Sequence, residues 1–227
     1  MSQSFSLVDS LAVADLQTYL SRAARVEEGS VRLIGGSGVL AVYTAILYPR
    51  GLLDQTPTVL GLRTFAIVQG ADFDAVVPIR SLLDRLARIG EAITPAAGVA
   101  PVEIRMPLEV STVTWAGISP PRGGWRPVGE TTYGLLAETA KAGIAEVAES
   151  IPSGTGEQLV QRVRAEVWGR PIDTLEYVPA GAAFAAESLG FLAEGEPVTI
   201  LETGPWTRLT TKRGHILVRR QAWSLRA

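Results

Sequence analysis

The chain has 227 residues, with 21 basic against 23 acidic side chains and 47% hydrophobic composition, which suits a near-neutral globular protein of one large or two small domains. It contains no cysteine and one histidine, His215. That excludes disulfides, thiolate nucleophiles, iron–sulfur clusters, Cys-containing zinc sites and any metal centre needing two imidazoles from one chain.

The first residues lack the cationic start and apolar stretch of a secretory signal, and no 18-residue apolar run occurs, so a cytoplasmic location without membrane partners is expected. Leu16, Tyr19, Leu20, Ala23 and Val26 recur at helical spacing and predict an amphipathic helix over 10–26, with Asp9 or Ser10 at its N-cap. Val31 to Ile34 and Val39 to Tyr48 flank Gly35-Gly36-Ser37-Gly38, which reads as two strands about a glycine turn rather than a phosphate cradle, because a β-like run follows it. Thr58 to Val68 is a third β-rich run. Ile79, Leu82, Leu83, Leu86 and Ile89 define a second helix entered through Pro78. Val102 to Met106 and Val110 to Ile118 supply one or two further strands.

Residues 119–129 carry three prolines and three glycines and break regular structure. Beyond them Leu136, Ala140, Ile144, Val147 and Ile151 mark a helix over 131–151, and Thr155 with Gln158 has capping-box spacing ahead of another that ends near Gly169-Arg170-Pro171. Ala180 to Leu192 predicts a further helix. Val198 to Thr203, Trp206 to Thr211 and His215 to Arg220 then read as three short strands. The expected fold class is α+β: an antiparallel β-meander with flanking helices over 1–118, a Pro/Gly/Arg/Trp loop at 119–129, and over 130–227 a helical segment ending in a three-stranded meander, with one core or two.

Four features carry candidate chemistry. Asp72 and Asp74 present two carboxylates without a third ligand and read as charges at a helix start, so no metal site and no cofactor are expected. Ser153, Gly154, Thr155 and Gly156 precede a helix and offer N–H groups to an anion, or simply cap that helix; they lack the Lys-Ser/Thr ending of a phosphate-binding loop. Arg122, Trp125 and Arg126 place an indole between two guanidiniums in a proline-stiffened loop, a surface suited to a protein partner unless the Trp folds back into the molecule. The last 33 residues carry six basic and two acidic groups. There Trp206, Arg208, Lys212, Arg213, His215, Arg219 and Arg220 form a basic hairpin whose order after the helices is winged-helix-like, an alternative that points to nucleic acid. The helix ahead of it, Ala180 to Leu192, contains no Arg, Lys, Asn or Gln to read bases.

The strings Leu47-Tyr-Pro-Arg-Gly-Leu-Leu-Asp-Gln-Thr-Pro57 and Ile118-Ser-Pro-Pro-Arg-Gly-Gly-Trp125 resemble those of a group of uncharacterised actinobacterial proteins, a resemblance that brings no known activity. The element order of residues 1–118 is similar to that of small secretion-chaperone folds, which hold an unfolded client segment. No catalytic constellation assembles from these residues, so the leading expectation is a non-catalytic interaction or adaptor-like module. Nucleic-acid binding and an enzyme or ligand protein with an anion site are the alternatives.

Overall fold

The structure, a computed structural model, describes residues 3–51, 53–92, 100–110, 113–117, 119–152 and 154–219. It is an α+β protein, and the chain divides into two compact units, Met1–Thr44 with Leu62–Gly117, and Ala45–Gly61 with Ile118–Ala227.

The first unit opens with β1 (Ser4–Leu7) and α1 (Ser10–Val26), whose N-cap Asp9 accepts the Ala12 N–H at 2.7 Å. Then come β2 (Ser30–Gly36), β3 (Val39–Leu47), β4 (Thr58–Ala66), β5 (Phe73–Pro78), α2 (Ile79–Ala92) and β6 (Val102–Arg105). The last three residues of β3 and the first four of β4 belong to the second unit. Strands run in the order β5-β2-β3-β4, and β1 pairs separately with β6, Phe5 opposite Ile104. The β2–β3 hairpin turns on Ser37 and Gly38, both at positive φ (52° and 79°), the twist that a two-residue turn between right-twisted strands requires. Leu16, Tyr19 and Leu20 of α1 and Leu82 and Leu86 of α2 are fully buried, as are Val31, Leu33, Leu40 and Val42 on the sheet. Tyr19 O–H and Thr44 Oγ1 lie 2.9 Å apart, so α1 is pinned to β3 by a buried hydroxyl pair; burial drives the phenol far above its usual pKa.

Two expectations for this half are corrected. Residues 73–78 are a strand, not a helix start: Phe73, Ala75 and Val77 are buried in alternation, and Asp74, on the opposite face, takes a two-pronged bond from Arg32 on β2 (2.7 and 2.6 Å). The run from Val110 to Ile118 gives no strand among its described residues; Thr114–Gly117 is a 3₁₀ turn with Trp115 buried.

The second unit contains β7 (Arg126–Thr132), α3 (Tyr133–Ser150), α4 (Glu157–Gly169), β8 (Pro171–Ile172), β9 (Leu175–Pro179), α5 (Ala180–Ser188), β10 (Pro197–Thr203), β11 (Trp206–Thr210) and β12 (His215–Arg219). Its sheet runs β4-β12-β11-β10-β7, and β8 and β9 form a separate two-stranded hairpin. β10, β11 and β12 are the expected antiparallel meander. The irregular loop is shorter than expected, because Arg126 to Thr132 pair with β10 through a register shift at Ile200/Leu201 that leaves Val128 without a partner. The expected capping box does not form. α4 starts on the backbone of Gly156, while the Thr155 hydroxyl donates to the Pro152 carbonyl at 2.7 Å.

The core here is built differently. α5 buries Gly181, Ala182, Ala183, Ala185 and Ala186, and small residues let large rings approach. Trp168 of α4 stacks on Phe184 with centroids 4.3 Å apart, and it lies over Gly143 of α3, where an added Cβ would come within 2.2 Å of the ring. Among the described residues no helix is long and apolar enough to cross a membrane.

Candidate partner-binding groove

A groove of about 570 Å³ opens on the second unit. Three stretches that the sequence marks only by prolines and glycines come together there. Gln55, Thr56 and Pro57 of the β3–β4 connection form one wall; Ala165, Glu166, Gly169, Arg170 and Pro171 another; Tyr177, Val178 and Pro179 of β9 a third; Val218 and Arg219 of β12 close it.

Each wall is locally fixed. Asp54 accepts the Arg50 N–H at 2.8 Å, the Thr56 N–H at 2.9 Å and the Thr56 hydroxyl, so one carboxylate sets the path into Gln55-Thr56-Pro57. Burial acts to raise the carboxyl pKa, but these hydrogen bonds outweigh it and hold Asp54 below its usual value. The Ala180 N–H bonds to the Arg170 carbonyl at 2.7 Å, tying the end of α4 to the start of α5. Pro171 pairs with Pro179 across β8 and β9. Underneath, Trp168 is buried and carries Gly169 at the rim.

The groove is apolar with a charged margin. Tyr177 is 49% exposed and lines the groove together with Pro179 and the end of α4. Arg170 reaches Glu146 at 2.7 Å and Glu166 at 3.2 Å, so two of the lining charges already satisfy each other. Three lining prolines have no N–H to satisfy and a fixed φ, so this floor loses little entropy when covered.

The residues singled out from the sequence fall elsewhere, with one exception. Arg122 and Arg126 are exposed, but Trp125 is engaged within the unit: its indole N–H donates to the Pro121 carbonyl at 3.1 Å, and the Arg208 guanidinium lies 4.5 Å from its ring centroid. Of the basic strands, Trp206 is buried, Lys212 lies 3.5 Å from Glu196, and Arg213 donates to the Leu192 carbonyl at 3.2 Å. His215 Nδ1 sits 3.1 Å from Thr210 Oγ1, and burial together with the Arg208 charge lowers its pKa to about 4, so the ring is neutral at pH 7. Arg219 is the exception, since it lines the groove; Arg220 lies outside the described residues. Gly154 (φ 86°), Thr155 and Gly156 lead into α4, with Ser153 outside the described residues. Among the described residues no three His, Asp or Glu side chains group as metal ligands.

Residues 1–104 match a family described as a domain of unknown function, DUF8010, and residues 120–223 match a second, DUF8185, also of unknown function. Among curated proteins none matches this chain. Solved structures similar to it include the DNA polymerase sliding clamp from Caulobacter crescentus, at 11% identity and a TM-score of 0.52 over 99% of this chain and 67% of that one. The DNA polymerase III subunit beta from Borrelia burgdorferi, solved with a natural product, aligns at 8% identity and a TM-score of 0.55 over 96% of this chain and 64% of that one. The sliding clamp from Bacillus subtilis aligns at 8% identity and a TM-score of 0.54 over 100% and 67%. The chain thus spans about two thirds of the length of these clamps and resembles them in fold.

Proposed function

We propose that this protein is a non-catalytic, cytoplasmic, adaptor-like interaction module on a sliding-clamp-like fold, and that it holds an extended segment of a partner protein in the groove of its second unit. The observation that carries the reading is the groove itself, a rigid floor of Pro57, Pro171, Val178, Pro179 and Val218 around a half-exposed Tyr177. Such a floor rewards apolar side chains set on an extended backbone.

The likeness to proteins described as DNA polymerase sliding clamps gives a second reading, association with DNA. The charge distribution supports it less. Among the described residues the five α-helices together carry eight basic and nine acidic side chains, so these helices offer a polyanion no net attraction.

A photo-crosslinking residue placed at Tyr177 or Pro57, compared with one at exposed Glu138, tests the proposal. Crosslinks to one discrete polypeptide from the groove positions alone support it. Equal labelling from all three positions removes the groove from the account. Binding to duplex DNA that falls steeply with salt and survives Tyr177→Ala would transfer support to the second reading.

A further inference from the structure

Strand β12 delivers the chain to the edge of the groove. Its last residues, Val218 and Arg219, belong to the groove's lining, and the ladder that carries them stops there, because β11 begins at Trp206, opposite Arg219, just after the positive-φ Gly204. On the other side of β12 lies β4, which begins at Thr58, directly after the Gln55-Thr56-Pro57 wall. Residues 220–227 follow, Arg220-Gln-Ala-Trp223-Ser-Leu225-Arg226-Ala227. Trp223 and Leu225 stand two apart, the spacing that puts both side chains on one face of an extended backbone, while Arg220 and Arg226 fall on the other.

We infer that the occupant of the groove in the free protein is the chain's own segment 220–227, with Trp223 and Leu225 on the proline floor, and that a partner segment binds by displacing it. This occupancy depends on the groove being a site for extended segments, as proposed above. Two points support it: where β12 ends, and how much chain follows. The four residues from Arg219 to Trp223 span about 13 Å when extended, and a groove of about 570 Å³ is on the order of 10 Å across, so the indole comes within reach of Pro57, Pro171, Tyr177 and Pro179. A segment tethered at the rim is present at an effective concentration in the millimolar range, so a modest intrinsic affinity keeps it seated. The same segment of a second copy arrives at the far lower concentration of the protein in solution. Occupation within one chain therefore wins over exchange between chains.

The test places the photo-crosslinking residue at Tyr177 in the purified full chain and reads the tryptic peptide that spans residues 221–226 by mass spectrometry. That peptide should be joined to the Tyr177 position within single chains, at a yield independent of protein concentration, and not from Glu138. Trp223→Ser with Leu225→Ser, checked for an unchanged melting profile, should abolish the link. A labelled, capped peptide of the sequence 220–227 should also bind this double variant about tenfold more tightly than wild type, as expected for a groove free only about a tenth of the time. Links that join two chains and rise with concentration overturn occupation within one chain. If the tail peptide is not labelled, yet Tyr177 captures one discrete polypeptide from extract equally in wild type and the double variant, self-occupation fails and the groove reading stands. Labelling of neither tail nor extract polypeptide above the Glu138 background overturns both.

Discussion

The two units solve the same packing problem with different residues. In the first, α1 and α2 bury Leu16, Leu20, Leu82 and Leu86 against aliphatic strands, one long side chain per helical turn. In the second, α5 contributes alanines, and the volume is filled by Trp168 and Phe191 from outside that helix. A leucine stripe announces a helix and its buried face together. An alanine helix has no such stripe, and the partner ring can come from anywhere in the chain. The second arrangement also brings backbones close, and that close approach is what builds the groove rim at Gly169 above Trp168.

If this contrast is right, Trp168→Ala should be the most damaging single change, costing about 3–5 kcal/mol in denaturant unfolding. Hydrogen exchange should show the loss concentrated in α3, α4 and α5. A smaller cost would mean that the small-residue helices collapse onto the vacancy. Next is Gly143→Ala, where the new methyl meets the indole; overpacking of about 1–3 kcal/mol is expected, whereas Gly134→Ala, with open space around it on the same helix, should be neutral or stabilising.

Acid provides a third test. The unfolded imidazole of His215 takes up a proton below about pH 6.5, while the folded ring does so only below about 4, so its contribution is complete above 6.5 and is lost as pH falls towards 4. With partial exposure discounted, about 1–2 kcal/mol should vanish across that window. His215→Gln should flatten this part of the stability profile; an unchanged slope would assign the acid sensitivity to other groups. The smallest effect belongs to the first unit. Tyr19→Phe removes one buried hydroxyl from Thr44 and should cost about 1 kcal/mol, within the range for a single hydrogen bond and far below the Trp168 effect.

The strands that sequence reading found and those it missed differ in one physical respect. β2, β3, β4 and the final meander combine β-branched runs with turn residues, and local chemistry suffices. β5 alternates Phe73, Ala75 and Val77 with polar positions, but the alternation is short and its aspartates also suit a helix start. β7 shows almost no alternation: all of it is exposed except Thr131, and only pairing with β10 makes it a strand. β8 and β9 are too short to carry a period.

The groove was less legible than the fold. Its prolines and glycines read as chain breaks, which they also are, and nothing local brings Pro57, Pro179 and Val218 to one place. The same holds for Trp125, whose neighbours in the chain suggest a free stacking surface while Arg208, far along the sequence, already covers it.

By itself the amino-acid sequence determined the α+β class, most helices and hairpins, and the exclusion of cysteine chemistry and multi-histidine metal sites, because these follow from composition and from side-chain periods within a few residues of one another. Tertiary structure alone decided which hairpin end joins which unit, which charged side chains pair, and that Pro57, Pro179 and Arg219 line one groove. Those outcomes depend on pairings between residues far apart in the chain, where the free energy of contact is set by what the rest of the fold brings near.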